Sequence, residues 1–207
     1  MNSGIGGIIL AGGASRRMGG GDKGLLRLNS QTLLDCVAGR LSSQVGHLAL
    51  NANGNPERFA GVDIDIIADP LPEPVGPLGG VLAGCLWSRR TFPKATHIVT
   101  VAVDTPFFPS DLVDRLFAAA SPSRRPVLAE CGTRLHPVFA LWPVEIADHL
   151  ARHLAEGGTR RVSAYALDHL AGTVAEFPME DGFDPFFNIN TPDDLDLARQ
   201  RLLGNEA

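Results

Sequence analysis

The sequence predicts an α/β protein, in which a mostly parallel sheet is covered by helices on both faces to give a three-layer α/β/α architecture. Three observations predict it. Short apolar runs alternate with helical patterns along most of the 207 residues, which is the order of βαβ units. The first four apolar runs each stop at glycine or a polar residue: Gly12 and Gly13, then Asn51, Asp69 and Asp104. Open α/β sheets bind ligands at these carboxyl ends. Finally, no repeat, low-complexity run or linker divides the chain, so one domain over residues 1–207 is expected.

The elements follow in order. "GGIIL" reads as a buried strand running into a glycine-rich loop. In "TLLDCVAGRL", Leu33, Leu34, Val37 and Leu41 share a helical face, with Thr32 and Asp35 as the start signal. "HLALNAN" is a second strand, and "VDIDIIAD" a third with apolar residues at period two. "GGVLAGCLWSRR" reads as a helix with its basic residues where the dipole favours them. The β-rich run "HIVTVAVD" is predicted to be the central strand, and "PSDLVDRLFAAA" a helix capped by Ser110. "RPVLAE" and "LHPVFALW" are strands, with Pro137 imposing a kink or an edge position on the latter. "VEIADHLARHLAEGG" is an amphipathic helix stopped by two glycines, "RVSAYALDHL" a further helix and "TVAEF" a strand. "NIN" reads as a last strand before a helix with Thr191 as N-cap, Pro192 at its first position, and Asp193 and Asp194 in its first turn.

Composition excludes several functions. The net charge of −5 argues against nucleic-acid binding, which wants a basic face. No apolar run approaches the roughly 20 residues of a membrane helix. "MNSGIGGIIL" has no basic segment ahead of its apolar one, so a cytoplasmic protein without a secretory signal is expected. Cys36, Cys85 and Cys131 stand far apart without metal spacing, as reduced core residues would. His136 reads as structural, and the other histidines form no metal-ligand pattern.

Two features carry chemistry. Six of the positions from 12 to 24 are glycine, and Arg16, Arg17 and Lys23 stand among them. Glycines let backbone N–H groups approach a phosphate, and the basic residues add charge for a polyphosphate. Lys23 is followed by Gly24, so the loop is not a P-loop, nor does "GGASRR" give the dinucleotide fingerprint. Asp104 ends the most apolar strand, where an unpaired charge is costly, so a metal or another cation is expected beside it. A carboxylate that also meets phosphates suits Mg²⁺, which keeps waters and bridges protein to polyphosphate. In "GPLGG", residues 76–80, a rigid turn leads into a helix with little side-chain bulk. It serves either as plain helix entry or as a surface for a flat ligand. Asn188 and Asn190, two apart in a strand, would share a face and could reach a ligand. Arg160 and Arg161 read as a solvated basic pair unless a second anionic ligand is bound.

"LAGGASRRMGGGDKG" resembles the signature loop of the nucleotidyltransferases with the pattern LAGG/LAAG-x-S-x-R-M-G-x-x-K, and among them the molybdenum cofactor guanylyltransferase family. The similarity continues through "NAN", the aspartate after the third strand, "GPLGG", "DTPF", "HPVFALW", "GGTRRV" and "NINTPDDL". The resemblance implies a Rossmann-like, nucleotide-diphospho-sugar transferase-like fold. It implies transfer of GMP from GTP to the phosphate of molybdopterin, with pyrophosphate released. Residues to about 105 would bind nucleotide, and those from about 106 to 207 would face the pterin. Leu10, Ala11, Gly12 and Gly13 would contact the nucleotide, Asn51 and Asp69 hold the nucleoside, and Lys23 neutralise the phosphates. Arg17 would stabilise the departing pyrophosphate, and Asp104 would bind Mg²⁺, or Mn²⁺ in its place. Gly76, Gly80, Arg161, Asn188 and Asn190 match positions that the family associates with this site or with the pterin side. Cofactor-insertion and acceptor proteins are its expected transient partners. The alternative is a cytidylyltransferase for molybdopterin or for a sugar or polyol phosphate. The resemblance associates "LAGG" and "DKG", the pair present here, with guanine, and "LAAG" with "NKL" or a similar ending with cytosine.

Overall fold

The computed structural model describes residues 2–12, 22–120 and 123–204. Its main sheet begins with β1 (Asn2–Leu10), followed by β4 (Val45–Asn51), β5 (Asp65–Ile67), β6 (His97–Ala102), β7 (Val127–Cys131), β8 (Arg134–Pro143) and β9 (Thr173–Phe177). These strands lie in the order β5-β4-β1-β6-β8-β7-β9, so β6 is central, as its β-branched run predicts. β8 runs antiparallel to both neighbours, and every other pairing is parallel. A small hairpin, β2 (Arg27–Leu28) with β3 (Gln31–Thr32), stands outside this sheet. Asn29 makes its turn at φ 60°, the left-handed region that asparagine tolerates.

The register decides where the site is. Leu10 lies beside Asn51 on one side and Ala102 on the other, and Asn51 lies beside Ile67. The carboxyl ends of four parallel strands therefore reach one level. Helices α1 (Leu33–Ser42) and α3 (Leu112–Ala120) pack their apolar stripes on one face, where Leu34, Val37, Leu41 and Leu116 meet Ile9, Val99 and Val101. Helices α2 (Pro77–Thr91) and α4 (Ala147–Ala155) cover the other, where Leu78, Val81 and Leu150 meet Ile8, Ile98 and Trp142. Side-chain alternation along β1 and β6 feeds both cores. Between them the two cores are the main apolar stabilisation. A smaller third core joins Leu28 and Leu33 to Phe107, Ile189, Leu195 and Ala198, and so fixes α5 (Pro192–Gly204) and the segment before it.

The local signals act largely as predicted. Thr32 and Asp35 form a reciprocal capping box on α1. Thr191 and Asp194 do the same on α5, since Asp194 N–H donates to Thr191 Oγ1 at 3.1 Å and Thr191 N–H to Asp194 Oδ2 at 2.8 Å. Gly157, at φ 76°, follows α4. Pro137 sits where the β7–β8 register slips between Leu128 and Ala129, so it marks a kink in an interior strand, not an edge.

Four expectations need correction. The third strand is confined to Asp65–Ile67 because the Val62 N–H turns back onto Phe59 O, and beyond the Ala52 N–H bond to Ile67 O the Asp69 N–H goes to the Asn53 side chain. Ser110 does not cap α3; the helix starts at Leu112, and Asp111 O accepts the early bond from Arg115 N–H. The "RVSAYALDHL" helix widens into a π-helix over Ala164–His169, closed by Leu170 N–H to Tyr165 O. "NIN" is not a strand. Among the described residues its backbone finds no parallel neighbour, and Ile189 N–H instead donates to Asp104 O at 2.9 Å.

Among the described residues no helix is long and apolar enough to cross a membrane. Cys85 and Cys131 are buried and free, and burial pushes the Cys85 thiol up to about 12, well away from nucleophile chemistry. His97 is expected to give the fold a pH dependence. Its ring is buried with Nε2 unpartnered, and burial, helped by Arg124, lowers its pKa below the ordinary 6.5. The unfolded chain then takes up the proton more readily, so stability is full above the unfolded value and lost as pH falls through it. Urea titrations between pH 7.5 and 5.5 are expected to show that loss, and His97→Leu to reduce the slope.

Candidate active site

A cavity of about 470 Å³ opens over the aligned strand ends. Leu10, Ala11 and Gly12 from the end of β1, Asn51 from β4, and Asp69 beyond β5 line it, with Asp104 two residues past β6. Lys23, Gly76 and Asn188 complete the set of predicted residues on its wall. Residues far apart in sequence thus meet in one crevice.

The charged centre is the pair of Lys23 and Asp104, with Nζ 2.7 Å from Oδ2. Asp104 therefore has a cation beside it, and that cation is Lys23. Lys23 Nζ also donates to Asn190 Oδ1 at 2.7 Å. Both ionic side chains are only partly buried, at 16% and 18% exposed, which leaves them accessible from the cavity. The loop after β6 and the segment before α5 are tied together behind this pair. Besides the Ile189–Asp104 backbone bond, Thr105 Oγ1 donates to Asn188 Oδ1 at 2.5 Å. Asn188 and Asn190 thus reach the site from an irregular segment.

Across the cavity, Asp69 is held by two asparagines. Asn51 Nδ2 donates to its Oδ1 and Asn53 Nδ2 to its Oδ2, both at 2.9 Å, while Asp69 N–H donates to Asn53 Oδ1 at 2.8 Å. This leaves one orientation for the carboxylate and the rest of its acceptor capacity for a ligand's N–H groups. Gly76 holds φ at 72° to turn the chain into α2, and Pro77 opens the helix without needing a hydrogen-bond partner for a backbone N–H. Gly76 and Pro77 both line the cavity, so the positive end of α2 faces it, a favourable place for anions.

Gly79 and Gly80 work from behind. A Cβ on Gly79 would stand 2.8 Å from Asp69 Oδ2, and one on Gly80 would press on Asn51 Oδ1 and lie 2.5 Å from Leu10 Cδ2. Their bareness lets α2 press against the residues that line the cavity. Gly80→Ala is expected to displace Asn51 or Leu10, to cost about 1–3 kcal/mol in stability and to weaken nucleotide binding. Comparing the urea midpoint with calorimetric nucleotide affinity in the same variant checks both effects.

The remaining predicted residues fall elsewhere. Arg161 is exposed and outside the cavity lining, while Arg160 donates to the carbonyl of Pro74 on the rim at 3.3 Å. Gly13, Arg16 and Arg17 lie outside the described residues. Sequence reasoning passed over Asn53 and Thr105. The first stands two residues after Asn51, a spacing that could have indicated a shared target. For Thr105 the only signal was its place directly after Asp104. His136, expected to be structural, is buried, stacked on Phe186 at 4.6 Å between ring centroids and outside the cavity lining. No group of three or more His, Cys, Asp or Glu side chains among the described residues could by itself hold a metal.

Sheet order, a cavity across parallel strand ends, and a lysine–carboxylate pair on its wall agree with the nucleotidyltransferase class that the sequence motifs imply. The chain belongs to the MobA-like NTP transferase family, whose domain profile matches residues 7–171. A protein of Mesorhizobium japonicum named molybdenum cofactor guanylyltransferase is 48% identical over 98% of both chains. One of the same name from Rhodopseudomonas palustris is 46% identical over 91% of this chain and 87% of its own. The crystal structure of molybdopterin-guanine dinucleotide biosynthesis protein A from Archaeoglobus fulgidus superposes with a TM-score of 0.72 at 25% identity, over 96% of this chain and 99% of that one.

Proposed function

We propose that the chain is a single-domain guanylyltransferase that moves GMP from GTP to the terminal phosphate of molybdopterin and releases pyrophosphate. The observation that carries the reading is the Lys23–Asp104 pair facing the Asn51–Asp69 pair across one cavity. One side suits a triphosphate and the other a nucleoside. The full-length relatives named for this activity support the same conclusion.

In the reaction, an oxygen of the pterin phosphate attacks the α-phosphorus of GTP in line. The new P–O bond forms as the bond from that phosphorus to the α–β bridging oxygen breaks, and pyrophosphate leaves with the electron pair. Such a transfer asks for alignment and charge stabilisation more than covalent chemistry. Leu10, Ala11 and Gly12 seat the nucleotide along the end of β1. Asp69, fixed by Asn51 and Asn53, accepts from the N–H groups of the nucleoside, and guanine offers more of these than cytosine. Lys23 exchanges its contact with Asp104 for the phosphate oxygens. Arg17 is assigned to the pyrophosphate and Gly13 to the nucleotide loop. Gly76, Gly80, Arg161, Asn188 and Asn190 are assigned to this site or its pterin side, Gly80 acting from behind the wall.

The residues present fit a divalent ion of the Mg²⁺ kind. Mg²⁺ keeps waters and is commonly held by one or two carboxylates together with substrate phosphates, and Asp104 is a partly exposed carboxylate on the cavity wall. When bound, the ion would neutralise charge on the phosphates. Asp104 would hold it, and Mn²⁺ could take the same place. The net charge of −5 suits small substrates better than nucleic acid, and the cytoplasm is the proposed place of work.

The test is competition between nucleotides. With molybdopterin present, kcat/KM for GTP is expected to exceed that for CTP by at least tenfold. Faster turnover of CTP would instead establish the cytidylyltransferase reading.

A further inference from the structure

The hydroxyl of Thr105 is fully buried one residue after Asp104 and carries a single proton. Two acceptors lie near it: Asn188 Oδ1 at 2.5 Å and Asp104 Oδ1 at 3.3 Å. The shorter contact takes the proton. Its length also decides which end of the Asn188 amide faces Thr105, because 2.5 Å belongs to the O–H···O range and is too short for N–H···O. With Oδ1 occupied in this way, the amide N–H₂ is the end that Asn188 has left for the cavity it lines. Its neighbour is committed differently: Asn190 Oδ1 accepts from Lys23, and its Nδ2 is 3.5 Å from the Asn188 carbonyl.

We propose that Thr105 is a positioning residue, which locks the Asn188 amide with its N–H₂ donors toward the cavity to receive a phosphate oxygen of the acceptor. This rests on the guanylyltransferase reading and adds to it a neutral donor beside Lys23. Asn188 approaches from the segment before α5, on the Lys23–Asp104 side of the cavity, where the acceptor phosphate has to meet the triphosphate. A donor fixed in advance also spares the acceptor the cost of ordering the amide on binding.

Thr105→Val keeps the shape and removes the proton that selects the amide orientation. It is expected to raise KM for molybdopterin by about 10- to 100-fold, the loss of a hydrogen bond to a charged group, while GTP affinity stays within twofold. Thr105→Ser keeps the hydroxyl and should restore most of the wild-type KM. Asn188→Asp puts oxygen where the donors were and should impair acceptor binding at least as much as Thr105→Val. If Thr105→Val does not fold, the serine and aspartate variants decide the matter. An unchanged molybdopterin KM in Thr105→Val, an equal loss of GTP affinity, or a serine variant no better than valine overturns the inference. Wild-type protein that binds GTP but transfers nothing to molybdopterin would overturn the parent reading instead.

Discussion

Asp104→Ala is expected to lower metal-dependent turnover by about 10²–10³-fold, the usual cost of removing one preorganised electrostatic group. The side chain stands just beyond the central strand, and its backbone is independently anchored because Asp104 O accepts from Ile189 N–H. Removing the carboxylate should therefore leave β6 and the two cores in place. What disappears is the anionic partner of Lys23 and the carboxylate assigned to the divalent ion. Raising Mg²⁺ or Mn²⁺ should recover little of the activity, since the ligand itself is gone. Asp104→Asn tests charge at nearly constant shape, and should lose almost as much. Rates measured against metal concentration check this, and near wild-type activity would remove Asp104 from the metal role.

Lys23→Met is expected to weaken GTP binding by about 10- to 100-fold, the range for a charge-assisted hydrogen bond. Lys23 opens a short 3₁₀ turn, Lys23–Leu25, immediately after the glycine-rich loop. That placement lets its ammonium reach both Asp104 and Asn190 from the loop side. Methionine retains the packing of the stem and loses the charge. The two substitutions should not be additive, because they share one ion pair. In the double variant GTP affinity should fall by less than the product of the single losses. Calorimetric titration of GTP into the four proteins supplies the cycle. Unchanged GTP affinity in Lys23→Met would count against its role.

The parts of the site that were legible in the sequence were those set by strand ends. Asn51, Asp69 and Asp104 each follow an apolar run, and parallel register brings such positions to one level whatever the loops do. Helix starts at Thr32 and Thr191 were legible because a capping box is local. The errors arose where long-range partners decide. Residues 188–190 alternate as a strand would, yet no neighbouring strand lies beside them, and Asp104, Thr105 and Lys23 take up their polar groups. Asn53 and Thr105 escaped notice because their importance lies in whom they bond, Asp69 and Asn188, sixteen and eighty-three residues away. Gly80 stands in a stretch that reads either as helix entry or as a ligand surface, and its visible role is to admit Asn51 and Leu10 behind the wall. Guanine over cytosine was legible only through family resemblance, since the loop glycines carry no base-reading group themselves.

Product analysis tests the central claim most directly. The wild-type chain is incubated with molybdopterin, Mg²⁺ and each of the four nucleoside triphosphates in turn, and the products are followed by pyrophosphate release and mass spectrometry. One pyrophosphate is expected per guanine dinucleotide formed, with GTP preferred over the other three. Pyrophosphate release without a dinucleotide product, or a cytidine dinucleotide formed in preference, would contradict it.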